Sequence, residues 1–68
     1  MSVAKVLELS SGSPKGFEDA IQRGLERARQ TVDDIQGAWI KDQKVLFKDG
    51  QVHEFRVDMK VTFVLKDE

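Results

Sequence analysis

From Phe55 to Leu65 an apolar side chain stands at every second position: Phe55, Val57, Met59, Val61, Phe63 and Leu65. Glu54, Arg56, Asp58, Lys60, Thr62 and Lys66 fall between or beside them. A period of two places the first set on one face of a β-strand and the second on the other, so the run Gln51 to Lys66 reads as a half-buried antiparallel strand. It is long for a chain of 68 residues. A second β-rich run, Ala38 to Lys48, precedes it across Asp49-Gly50. That dipeptide is a strong hairpin signal, because a type I′ turn needs positive φ at both central residues. With a two-residue loop, Lys48 pairs with Gln51. Ala38 then faces Val61 and Ile40 faces Met59 on the apolar side, while Lys41 faces Asp58, Gln43 faces Arg56 and Trp39 faces Lys60 on the polar side. This register leaves Asp42 and Lys44 on the apolar side, a conflict that a bulge or a loop change of one residue would relieve.

The first half of the chain supplies one strand and one helix. Val3 to Leu9 is rich in Val and Leu and reads as a strand, stopped by the turn residues Ser10-Ser11-Gly12-Ser13-Pro14. Ser13 suits an N-cap and Pro14 the first helical position, where no N–H partner is lost. Phe17, Ala20, Ile21, Leu25, Ala28, Val32 and Ile35 follow at spacings of three and four, a helical stripe. Glu18 and Asp19 lie early and Arg27 and Arg29 late, as the helix dipole favours. The spacing predicts a helix over 14–31, and Gly24 in its interior points to close packing against another element or subunit.

These elements predict one α+β domain, residues 1–68, of order β-α-β-β: a three-stranded antiparallel sheet packed on one long helix. A chain this short buries a modest share of its surface and needs extra support. It has no cysteine, and His53 is its only histidine, which removes disulfides and thiolate or histidine zinc sites. The hairpin also outreaches the helix. Partner subunits are therefore the expected remedy.

Charge and motifs narrow the function. Twelve acidic and eleven basic residues leave a net charge of −1, with no basic excess to follow nucleic-acid phosphates. No apolar run approaches the roughly 20 residues of a membrane span. Met1 to Leu9 lacks the apolar core of a signal peptide, so the expected location is cytoplasmic. Nothing resembles a catalytic nucleophile with its base, and an enzyme is not expected. Ser11 to Gly16 lacks the Gly-Lys-Ser/Thr ending of a phosphate loop. No metal-ligand spacing is present, although Asp33-Asp34 and the pair Glu54 and Asp58 offer oxygen donors. Trp39 falls outside the apolar register, with Lys41 and Lys60 nearby, and suits either a planar ligand or a subunit contact.

The stretches Val6 to Ile21, Ala28 to Val32 and Phe55 to Leu65, in this order, resemble the dodecins over nearly the whole chain. The resemblance implies a hollow homo-dodecamer of β-α-β-β subunits that binds and stores riboflavin, FMN or FAD near two-fold axes. It also implies two departures. Gly37 stands where flavin-binding members carry the tryptophan that stacks on the ring, with Trp39 two residues later on the same side of the strand. Arg56 stands where they carry a glutamine that hydrogen-bonds the ring, and arginine offers donors but no acceptor. Trp39, Gly37 and Arg56 are the candidate ligand-binding residues. Arginine's fork suits an anionic ligand, phosphate or carboxylate. Some members are described as calcium-binding and lack the tryptophan, so a calcium-holding or structural cage is the alternative.

Overall fold

The computed structural model describes residues 3–65, which form β1 (Val3–Ser13), α1 (Phe17–Arg29), β2 (Ile35–Lys48) and β3 (Gln51–Leu65). The sheet is antiparallel throughout, in the order β1-β3-β2. The alternating strand therefore lies at the centre, where its apolar positions have neighbours on both sides. Val57, Met59, Val61 and Phe63 are buried against α1, which lies over β1 and β3 with Ala20, Gly24 and Ala28 facing down. Phe17 closes one end of this core by meeting the Phe55 ring edge-on at 5.2 Å. The expected α+β class and element order hold. Among the described residues no helix is long and apolar enough to cross a membrane.

The boundaries differ from expectation, each for a physical reason. β1 continues through the serines to Ser13, pairing Ser10 with Asp58 and Ser13 with Phe55. The central strand needs a hydrogen-bonded neighbour along this length, which outweighs the turn chemistry of Ser-Ser-Gly-Ser. The helix consequently starts at Phe17 rather than 14, with Gly16 at the N-cap and no side-chain cap. Ser13 is still tied to the helix start. Its buried hydroxyl accepts the Lys15 N–H at 3.0 Å and donates to Asp19 Oδ2 at 2.5 Å. At the far end Gln30 is the C-cap, so Val32 lies past the helix and Ile35 opens β2. The chain reaches β2 through Asp34 at φ 57°. Lys66, expected to end the last strand, lies outside the described residues.

The hairpin turn is as expected, with φ 55° at Asp49 and 77° at Gly50. Its register agrees at Ala38–Val61, Trp39–Lys60, Ile40–Met59 and Lys48–Gln51, and departs between them. Two extra residues, Gln36 and Lys41, bulge out of β2, and His53 bulges out of β3. Between Lys41 and His53, Asp42 faces Asp58, Gln43 faces Val57 and Lys44 faces Arg56. The expected Lys41–Asp58 and Gln43–Arg56 pairs do not form. The Lys41 bulge moves Asp42 and Lys44 to the face away from the helix, which resolves their conflict with the apolar side.

A helix of 13 residues spans about 20 Å, whereas a strand of 15 spans about 50 Å. The protomer measures 53 × 19 × 13 Å, and the hairpin tip projects well past the helix.

Candidate functional site

The sheet face opposite α1 carries the candidate residues, because alternation sends every side chain that is not under the helix there. Trp39 projects from β2 opposite Lys60 and is 65% exposed, so its indole offers a bare aromatic face. Gly37 is the next position on the same face, opposite Thr62. A Cβ built there would meet nothing nearer than Thr62 Oγ1 at 3.8 Å, so the surface beside the indole is open. Thr62 Oγ1 donates to the Gly37 carbonyl at 3.2 Å, which fixes the floor of this opening. On the other flank the bulged Lys41 reaches over to Glu8 on β1, with Nζ 3.3 Å from Oε1. Beside that pair is a shallow concavity lined by Glu8, Ser10, Lys41 and Asp58.

Arg56 shares the face but not the neighbourhood. It lies four residues from Lys60 along β3, about 13 Å away. Its fork is already engaged: Nε donates to Glu54 at 2.6 Å and Nη1 to Ser10 at 2.8 Å. The pair lies across Gly12, where an added Cβ would come within 2.5 Å of Glu54 Oε2 and 2.8 Å of Arg56 Nη2. Within one protomer the structure thus joins Trp39 to Gly37 and leaves Arg56 apart, tying β1 to β3. Lys44, facing Arg56, and Asp42, facing Asp58, make two like-charge cross-strand pairs side by side. His53 is the exposed bulge residue of β3.

Sequence reasoning missed the supporting residues. Thr62, Ser10, Glu54 and Gly12 act through cross-strand neighbours, and only the strand order β1-β3-β2 makes them neighbours. Glu54, two residues before Arg56, was the one readable signal. Among the described residues, no group of three or more histidine, cysteine or acidic side chains could hold a metal ion.

The Trp39 indole presents an exposed aromatic face with open surface over Gly37 beside it. A hydrogen-bond acceptor at Arg56 is not available, since its atoms only donate.

Comparison with known proteins places these features in a family. Residues 3–66 match the family model described as Dodecin. The chain is 34% identical over 65 residues to the dodecin of Thermus thermophilus, covering 96% of this chain and 94% of that protein. It is 32% identical over 66 residues to the calcium dodecin of Mycobacterium tuberculosis, covering 97% and 93%. The solved structure of the latter, described as a calcium-chelating immunodominant antigen with a novel calcium-binding site, superimposes with a TM-score of 0.85 at 31% identity over 98% of this chain and 96% of that one. The structure of the dodecin from Streptomyces davaonensis gives a TM-score of 0.92 at 30% identity, covering 97% of each chain.

Proposed function

The chain belongs to the dodecin family, and on that footing we propose that it is a homo-dodecameric binding and storage protein for a planar ligand of the flavin class. The observation that carries the ligand reading is the exposed Trp39 indole beside the open surface at Gly37. In this role Trp39 stacks on the ring, and the cleared strand at Gly37 and Thr62 accommodates its edge. The site binds and performs no turnover. Assembly is supported by the long hairpin that the helix leaves uncovered and by the chain's small core. The reading places the protein in the cytoplasm, a reducing compartment suited to a chain without cysteine.

Titration with riboflavin, following flavin and Trp39 fluorescence together, tests the ligand. Saturable quenching of both, lost in Trp39→Ala, is expected. No quenching at high micromolar flavin rejects it.

A calcium-holding assembly is the second reading, favoured by the facing carboxylates of Asp42 and Asp58 and by the calcium dodecin relative. Calcium takes six to eight oxygen ligands, so two carboxylates per chain reach that number only when several copies converge. A fall in melting temperature on adding chelator, with flavin having no effect, selects this reading over the first.

A further inference from the structure

Lys60 stands in the middle of the cross-strand row that carries Trp39. It faces Trp39 on β2 and Glu8 on β1. Met59 and Val61 on either side of it are buried against α1, so alternation puts Lys60 on the same outer face as the indole. In that register Glu8 is the natural partner of a lysine. The Glu8 carboxylate instead holds Lys41 at 3.3 Å, a residue that the β2 bulge sets outside the register. Lys60 is left half-buried, and among the described residues it has no hydrogen-bond or ion-pair partner. The charges around it are arranged unevenly. On one side the next row is Val6, Thr62 and Gly37, which is uncharged and open over Gly37. On the other side it is Ser10, Asp58 and Asp42. Such rows lie about 7 Å apart along a strand. A ring stacked on Trp39 and extending over Gly37 therefore has the Lys60 ammonium at its edge and the two carboxylates one row further away.

We propose that Lys60 makes this surface select a planar ligand whose ring itself bears a negative charge, as an isoalloxazine does once its N3–H is ionised. The inference rests on the planar-ligand reading above and names a residue that sets its specificity. A neutral ring draws its binding from stacking on Trp39 and gains little from an ammonium at its edge. An ionised ring gains an opposite charge, which lowers the pH at which it loses its proton by about one unit or more. By linkage the ionised ring binds at least about tenfold more tightly than the neutral one. The other charges facing Lys60 set the size of the effect. Glu8 on β1 is neutralised by Lys41 of β2, while Asp58 on β3 and Asp42 on β2 oppose an anion from the more distant row. The helix packs on the other face of the sheet. Lysine keeps its charge up to about pH 10, so the selection operates over the whole range below that.

Riboflavin and N3-methylriboflavin, which has no N3 proton to lose, are titrated into the protein at a series of pH values from neutral upward. Trp39 quenching reports occupancy and ring absorbance reports ionisation. Bound riboflavin is expected to ionise about one pH unit or more below free riboflavin, and N3-methylriboflavin to bind with the same affinity throughout. Lys60→Arg should keep the shift and Lys60→Met should lose it. A bound ring that ionises at or above the pH of the free ring, or that keeps its shift in Lys60→Met, overturns the inference and leaves the planar-ligand reading standing. Loss of all riboflavin binding in Lys60→Met with unchanged circular dichroism overturns it as well, because the lysine then holds the neutral ring and selects no charge. A wild-type protein whose Trp39 neither flavin quenches rejects the planar-ligand reading and the inference with it. Glu8→Gln gives a second measure that leaves Lys60 in place. It removes a carboxylate from the row and releases Lys41 beside the same ring, so the shift should grow, and an unchanged or smaller shift argues against the proposal.

Discussion

Ser13 shows how one hydroxyl organises a junction. Strand and helix meet there with only three residues between them, and the hydroxyl holds both sides through the Lys15 N–H and the Asp19 carboxylate. Arg23 completes the arrangement from one turn on, 2.7 Å from the same carboxylate oxygen. The Ser13 hydroxyl foremost, and Arg23 after it, hold the Asp19 carboxyl below its ordinary 3.8. A depressed carboxyl stabilises the fold fully above that ordinary value and loses the contribution as pH falls through the lower one. Acid titration of stability should therefore show a loss below pH 3.8 that Ser13→Ala weakens. At neutral pH, Ser13→Ala should cost about 1–2 kcal/mol by urea unfolding, because the buried hydroxyl's bonds to the Lys15 N–H and the Asp19 carboxylate are both lost. Gly24 works by absence. A Cβ there would press on the Met59 methyl and come within 3.0 Å of Leu9 Cδ1 and Ser11 Cβ. Gly24→Val should lower stability by about 1–3 kcal/mol through overpacking, despite the helix propensity gained, and a melt of the two proteins side by side checks it.

At the scale of elements, the hairpin owes its position to strong local signals and its register to a weaker tertiary one. Alternation along β3 and the Asp49-Gly50 turn are properties of neighbouring residues, so both could be read directly from the chain. The bulges at Lys41 and His53 were only half readable. Asp42 and Lys44 announced a conflict, but its resolution depends on which face the helix covers. The extension of β1 through Ser13 was hidden for the same reason, since it answers a demand made by β3 some forty residues later. The site divides likewise. Trp39 stood out by breaking the apolar register, whereas the latch of Glu54, Arg56, Ser10 and Gly12 needs the strand order before it exists. The bulged register carries a cost, for Asp42 directly faces Asp58 and like charges opposite one another destabilise a sheet. Asp42→Lys should raise stability by about 0.2–1 kcal/mol in metal-free buffer, measured as a higher urea midpoint. If the two carboxylates serve calcium in the assembly, the same variant should also abolish any rise in melting temperature on adding calcium.

At the scale of the whole molecule, the core under α1 is small and, among the described residues, much of the uncovered apolar surface lies on β2, away from the helix. Trp39, Ile40, Val45 and Phe47 all lie exposed on β2, which α1 does not cover. A chain of 68 residues with so much of one strand bare has little stability in isolation, and in the proposed assembly contacts between copies supply the rest. Folding and association are then one equilibrium, and the melting temperature follows protein concentration. Tenfold dilution weakens such an equilibrium by about 1.4 kcal/mol per association step, which for a domain of this size lowers the melting temperature by about 10 °C. Reversible melts followed through Trp39 emission over a hundredfold concentration range should show this drift. A wild-type transition that stays at one temperature across the range would mean that the 53 Å protomer is stable on its own side chains, and that assembly, if it occurs, adds nothing to folding.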